Sequence, residues 1–145
     1  MSSLQYRWSA AEQASLHTAA LVAQVRQFNF AVVGPYEFSP KVLAVYDRDQ
    51  LCAGVAAHFG LGWLSIEALW VAEPLRGQGI AQQLLKELEQ QARIAELRYA
   101  KVETASFQAR GFYEKQGYRV YAELEDYPPG HSYFYLRKNL HDSLG

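Results

Sequence analysis

Apolar and polar positions alternate at Leu4, Tyr6 and Trp8, the period-two pattern of a half-buried strand. Ser9 then offers a hydroxyl that can cap a helix running from about Ala10 to Phe28. In that helix Ala14, Leu21, Val22, Val25 and Phe28 recur at helical spacing, so one face is expected in the core. Gly34, Pro35, Ser39 and Pro40 interrupt the pattern and leave Tyr36 and Phe38 in a loop. Lys41 to Tyr46 and Leu51 to Phe59 read as strands joined by the polar turn Asp47 to Gln50, and Trp63 to Val71 reads as a third, which completes an antiparallel meander. A long helix follows from Gly77–Gly79 to about Glu96, with Ala81, Leu84, Leu85, Leu88, Ala92 and Ala95 on one stripe. Arg98 to Glu103 is a strand and Phe107 to Gln116 a short helix stopped by Gly117. Tyr118 to Leu124 and Ser132 to Leu136 are two closing strands. The expected order is β, α, β, β, β, α, β, α, β, β. Meander and βαβ runs in one short chain predict an α/β (α+β) mixed sheet, mostly antiparallel and flanked by helices.

Length and composition narrow what such a sheet serves. At 145 residues, half of them apolar, the chain fits a single domain spanning 1–145. A net charge of -1 gives no footprint for nucleic acid or for anionic membranes. Cys52 is the single cysteine, so no internal disulfide forms and a reducing, cytoplasmic setting is expected. No apolar run approaches the ~20 residues of a membrane span.

The segment Arg76, Gly77, Gln78, Gly79, Ile80, Ala81 lies between a strand and a helix. Small residues there let a ligand approach the backbone, and the unpaired amides of the helix start attract anions, so a phosphate suits the turn. A Walker loop is excluded by the missing Gly-Lys-Ser/Thr, and Gln82 stands where a Rossmann turn needs its third glycine. A plain flexible turn is the alternative.

Arg76, Gly79 and Ala81 match the central motif of the GNAT superfamily of N-acetyltransferases, which this sequence resembles. The resemblance continues through Gly111 to Tyr118, which is similar to that family's second block, and it covers nearly the whole chain. It implies a GNAT-like acyl-CoA N-acyltransferase fold, with the usual two helices after the first strand reduced to one helix and a loop. It also implies acetyl-CoA as cosubstrate, its pyrophosphate on the amides of residues 76–81 and its pantetheine arm along Leu69, Trp70 and Val71. Ser106 stands where many members carry Asn, and a hydroxyl cannot reproduce an amide's paired hydrogen bonds.

Acetyl transfer to an amine needs a neutral nucleophile, yet an alkyl ammonium has a pKa near ~10.4. Glu67 is the only ionisable residue in its strand, and strict alternation puts it on one face with Ser65 and Leu69. The resemblance implies that Glu67 is the general base, directly or through water, and that Tyr113 is the acid at the departing sulfur. Phe112 is expected to take the core face and to leave Tyr113 to the cleft. A solvated carboxylate and an ordinary packed tyrosine are the plainer readings of these two residues.

His131 can orient a substrate but fits loop packing better, and Cys52 reads as a small buried hydrophobe. His17 and His58 form no metal-ligand spacing, so no metal is expected. The leading function is an acetyl-CoA-dependent transferase acting on a small-molecule or peptide amine. A non-catalytic acyl-CoA-binding or interaction module, or an enzyme with another acyl donor, remains open, and a homodimer is plausible through the closing strands.

Overall fold

The computed structural model describes residues 3–141, which fall into two units divided after Tyr36. In the first, residues 3–10 form no regular structure, and the short 3-10 turn Ala11–Gln13 leads into α1, Ala14–Val33. The expected first strand is absent. Leu4, Tyr6 and Trp8 are all exposed, and alternation without a partner edge does not hold a strand in water. Ser9 caps no backbone amide; its hydroxyl instead meets Nδ1 of His17 at 2.5 Å. The helix runs five residues past the expected Phe28, ending at Gly34. None of its residues is buried, contrary to the expected core face. Apolar residues encircle α1, from Leu16 and Leu21 to Val32 and Val33, so no polar face singles out a buried stripe. After the helix, Tyr36 folds back to receive a hydrogen bond from Asn29 at 3.0 Å and packs edge-on against Phe30.

The second unit holds the sheet. Its strands are β1 (Ser39–Asp47), β2 (Gln50–Gly60), β3 (Trp63–Val71), β4 (Tyr99–Ala105), β5 (Arg119–Glu125) and β6 (Ser132–Asn139). They hydrogen-bond in the order β1-β2-β3-β4-β6-β5, and only β3 and β4 are parallel. The meander is as expected. Both of its turns are two-residue loops with positive φ at both positions, Arg48–Asp49 and Leu61–Gly62, the geometry that matches strand twist. The parallel pair is bridged by α2, Ile80–Ile94, and α3, Arg110–Lys115, connects β4 to β5.

The alternating residues Ala53, Val55, Ala57 and Phe59 of β2 share one core with Leu64, Ile66, Val102, Phe134 and Leu136 from the neighbouring strands. Leu84, Leu85, Leu88 and Ala92 of α2 close over them, as the predicted stripe requires. Glu89 lies on that stripe too, nine-tenths or more buried, and was not anticipated. Its carboxylate is satisfied on both oxygens: Oε2 accepts the Tyr118 hydroxyl at 2.7 Å and Oε1 accepts Lys138 Nζ at 2.8 Å. One buried charge thereby ties α2 to the start of β5 and to β6.

Two irregularities in β3 position the site. The pairing of β3 with β4 runs only from Trp63↔Tyr99 to Ile66↔Val102, beyond which the two strands part. On the other edge, register shifts between Ala56↔Ala68 and Ala57↔Ile66, so Glu67 is the extra residue of a β-bulge. The bulge breaks the alternation assumed from the sequence. Glu67 stays with Ser65 on the face away from α2, while Leu69 and Val71 turn to pack against the core.

Candidate functional site

Beyond Ile66 and Val102 the parted strands open a cleft of about 620 Å³. Its walls are Leu69, Trp70 and Val71 from β3, the turn and first residues of α2, and Gln108, Ala109, Phe112 and Gln116 around α3. Strand residues that leave a sheet ladder keep backbone donors and acceptors that need other partners, so the mouth is lined with groups suited to an extended amide-bearing ligand.

The turn entering α2 is built for an anion. Gly77 and Gly79 have φ of +79° and +81°, a conformation costly for any residue with a Cβ. A Cβ on Gly79 would meet no protein atom within 4 Å, so the turn needs glycine for its backbone and leaves open space above it. No side chain caps Gly79, and the amides that begin α2 have no acceptor one turn back. Arg76 donates from Nε to the Val71 carbonyl at 3.0 Å, which fixes the turn to the end of β3. The exposed guanidinium adds positive charge at the rim. The cleft therefore offers a pyrophosphate the backbone cradle and cation it needs.

Leu69, Trp70, Val71, Arg76, Gly77, Gly79, Ile80 and Ala81 all line this cleft. Gln78 does not; its amide group turns to the Pro74 carbonyl at 3.4 Å. Nor does Ser106, whose hydroxyl accepts the Ser132 amide at 3.2 Å and secures the start of β6. Gln108 stands at the cleft wall in its place and accepts the Ala105 amide at 2.7 Å, ordering the loop into α3.

Tyr113 and Phe112 exchange the places expected of them. Tyr113 is buried in the core, 5.6 Å between ring centroids from Tyr118, and Phe112 lies on the cleft wall. Gln116 also reaches the wall, so the helix turns its 108–109–112–116 side to the opening. Burial pushes the Tyr113 phenol up to about 12, which keeps it protonated at any working pH.

Glu67 lies outside this opening, in a separate cavity of about 320 Å³ on the other face of β3, together with His58, Ser65, Lys101, Glu103, Tyr121 and Tyr133. Its Oε1 is 2.5 Å from His58 Nδ1. The sequence weighs this histidine only as a metal ligand, because it shows no spacing to Glu67 along the chain. The register of the β2–β3 hairpin, which sets His58 opposite Ser65, is the signal that finds it. Tyr133 donates to Glu103 Oε2 at 3.2 Å, and burial together with that carboxylate raises its phenol. His131 packs edge-on against Phe107 at 4.9 Å, and Cys52, half-buried, donates to the Val45 carbonyl at 3.3 Å. Among the described residues no three His, Cys, Asp or Glu side chains are grouped to hold a metal, and no helix is long and apolar enough to cross a membrane.

Residues 6–118 match the acetyltransferase (GNAT) family. A blasticidin-S acetyltransferase of Streptomyces morookaense is 39% identical over 108 residues, 69% of this chain and 76% of that protein. The crystal structure of an acetyltransferase from Bacillus cereus superposes with a TM-score of 0.83 at 30% identity, covering 94% of this chain and 97% of that one. A more distant aminoglycoside 6′-N-acetyltransferase, solved with coenzyme A, shares the fold at a TM-score of 0.61 and 17% identity, over 70% of this chain and 73% of that one.

Proposed function

The chain belongs to the GNAT family of acetyltransferases, and from that premise we propose that it transfers the acetyl group of acetyl-CoA directly to a primary amine of a small molecule or peptide while both are bound. The observation that carries this reading is the parting of β3 from β4 beside an uncapped, doubly glycine-hinged helix start. A thioester donor supplies the activated acyl group, and every other requirement falls to the chain's own residues.

The amides that begin α2 and the Arg76 guanidinium hold the pyrophosphate. The freed edge of β3 at Leu69, Trp70 and Val71 takes the pantetheine amides as a strand would. A backbone N–H of the same segment stands where negative charge develops on the acyl oxygen. Tyr113 is the proposed source of the sulfur's proton; its ring is buried behind the cleft wall, so the role requires its hydroxyl to turn past Phe112 toward the sulfur. Glu67 provides the basic group at the acceptor end, on the face of β3 opposite α2. Small-molecule acceptors are favoured by the relative that is named for blasticidin S.

A thiol-release assay with acetyl-CoA tests the reading across polyamines, aminoglycosides, blasticidin S, amino acids and peptide N-termini. At least one amine should release CoA well above the rate of thioester hydrolysis. Acetyl-CoA that binds without thiol release to any acceptor would replace the transferase reading with that of a carrier or interaction module.

A further inference from the structure

Glu67 does not stand alone at the acceptor end. The imidazole of His58 projects from β2 with Nδ1 2.5 Å from Glu67 Oε1. Two backbone features bring them together: the hairpin register that sets His58 across from Ser65, and the bulge that frees Glu67 from a cross-strand partner. The other side of the ring is braced by Phe38, edge-on at 5.1 Å. Phe38 in turn lies against Gly60, where a Cβ would come within 2.4 Å of its ring, so the absence of a side chain there is what seats it.

We propose that Glu67 acts through His58, whose Nε2 is the atom that takes the proton of the acceptor ammonium. The proposal rests on the acyl-transfer reading above. A carboxylate that accepts from Nδ1–H selects the neutral tautomer with a bare Nε2 lone pair, and it then stabilises the imidazolium that forms. Glu67 by itself suits the task less well: its side chain is 57% exposed, and a carboxylate has a reference pKa of about 4.3 against about 6.5 for imidazole. General-base efficiency is greatest when the base is matched to the working pH, which favours the ring.

The proton balance closes. One ammonium proton passes to Nε2 and on to solvent. The nitrogen lone pair forms the bond to the acyl carbon as the carbon–sulfur bond breaks, and the second proton lost by nitrogen balances the one delivered to sulfur. The other titratable groups of the cavity are Lys101 and Glu103 from β4, Tyr121 from β5 and Tyr133 from β6. Glu103 bonds Tyr133 rather than the ring, so Glu103→Gln is the control for a second carboxylate of the cavity.

The test has two arms on the full chain. In the first, imidazole ¹⁵N NMR is recorded for the parent, for Glu67→Gln and for His58→Gln, whose missing signal assigns the ring. Neutral His58 should carry its proton on Nδ1 in the parent, and Glu67→Gln should redistribute that proton between the two ring nitrogens. In the second arm, His58→Gln should lower turnover by ~10²–10⁴ at unchanged acetyl-CoA affinity and remove the acidic limb of the pH profile, which Glu103→Gln keeps. Added imidazole should restore part of the rate to His58→Ala. A proton found on Nε2 of neutral His58 in the parent, or a His58→Gln enzyme with full rate and an intact acidic limb, overturns the proposal. If the parent releases no thiol with any amine, the acyl-transfer reading itself has failed, a result distinct from an active parent indifferent to His58.

Discussion

Replacing Gly79 with alanine isolates what the turn before α2 contributes. Its φ of +81° and the absence of any protein atom within 4 Å of a built Cβ mean that the substitution creates no clash in the free protein. The cost is conformational, about 1–2 kcal/mol for an L-residue held in the left-handed region. If the turn keeps its shape, the melting temperature falls by roughly 3–6 °C at about 3 °C per kcal/mol for a domain of this size. If it relaxes instead, the first amides of α2 rotate away from the pyrophosphate. Losing two charge-assisted hydrogen bonds of about 1.5 kcal/mol each weakens CoA binding ~10²-fold. Gly62, with φ of +83° and equally open space, lies in the β2–β3 hairpin and supplies an internal control with the same backbone penalty. Calorimetric titration of both variants with CoA and ADP should show the loss for Gly79→Ala alone, while pantetheine binding stays at the parent value. Equal CoA affinity in Gly79→Ala and the parent, or an equal loss in Gly62→Ala, would refute the assignment of the phosphate cradle to this turn.

Three further outcomes are expected. Tyr113→Phe should bind acetyl-CoA normally and turn over ~10²–10⁴ more slowly where chemistry limits the rate, and an unchanged rate would assign Tyr113 to packing alone. Glu89→Gln leaves Lys138, 14% exposed, without its charge partner and should cost about 3 kcal/mol in urea unfolding, whereas Glu89→Leu combined with Lys138→Met should recover most of it. Burial holds the Tyr113 phenol at about 12 against an unfolded value of 10.0, and burial together with Glu89 raises Tyr118 further. Stability should therefore be constant until pH nears 10 and fall as pH rises beyond it, with Tyr113 contributing about 2 kcal/mol of that fall by pH 12; a flat unfolding free energy from pH 9 to 11.5 would contradict the burial.

The parts of this fold that were legible in the sequence are those whose own residues carry the pattern. The meander, the α2 stripe and the glycine turn each declare themselves within a few residues. What escaped depends on partners far along the chain. Leu4, Tyr6 and Trp8 alternate as a strand does, but pairing requires an edge, which no local pattern reveals. Apolar residues on every side of α1 gave an expected stripe no contrast to stand against. The exchange of Tyr113 and Phe112 follows from how α3 is rotated by the loop that Gln108 and Thr104 order, through contacts at 2.7 and 3.1 Å with the backbone of Ala105 and Ala109. At the site, the cleft residues of β3 and the turn were readable because the motif is contiguous. His58 was not, since a single inserted residue in β3 decides which side chains meet.

The cleft between β3 and β4 is, in energetic terms, an interrupted ladder. Four residue pairs hold the two strands together, Trp63↔Tyr99 to Ile66↔Val102, and past them the facing edges of β3 and β4 make no ladder bonds to each other. A donor lying along β3 would supply fixed hydrogen bonds there and act as a temporary strand of the sheet. Occupancy should then be visible far from any chemistry: amide hydrogen exchange at Leu69, Trp70 and Val71 should slow on binding, and the melting temperature should climb with the logarithm of donor concentration. On the proposed reading, the acyl donor would be the piece that completes an unfinished sheet.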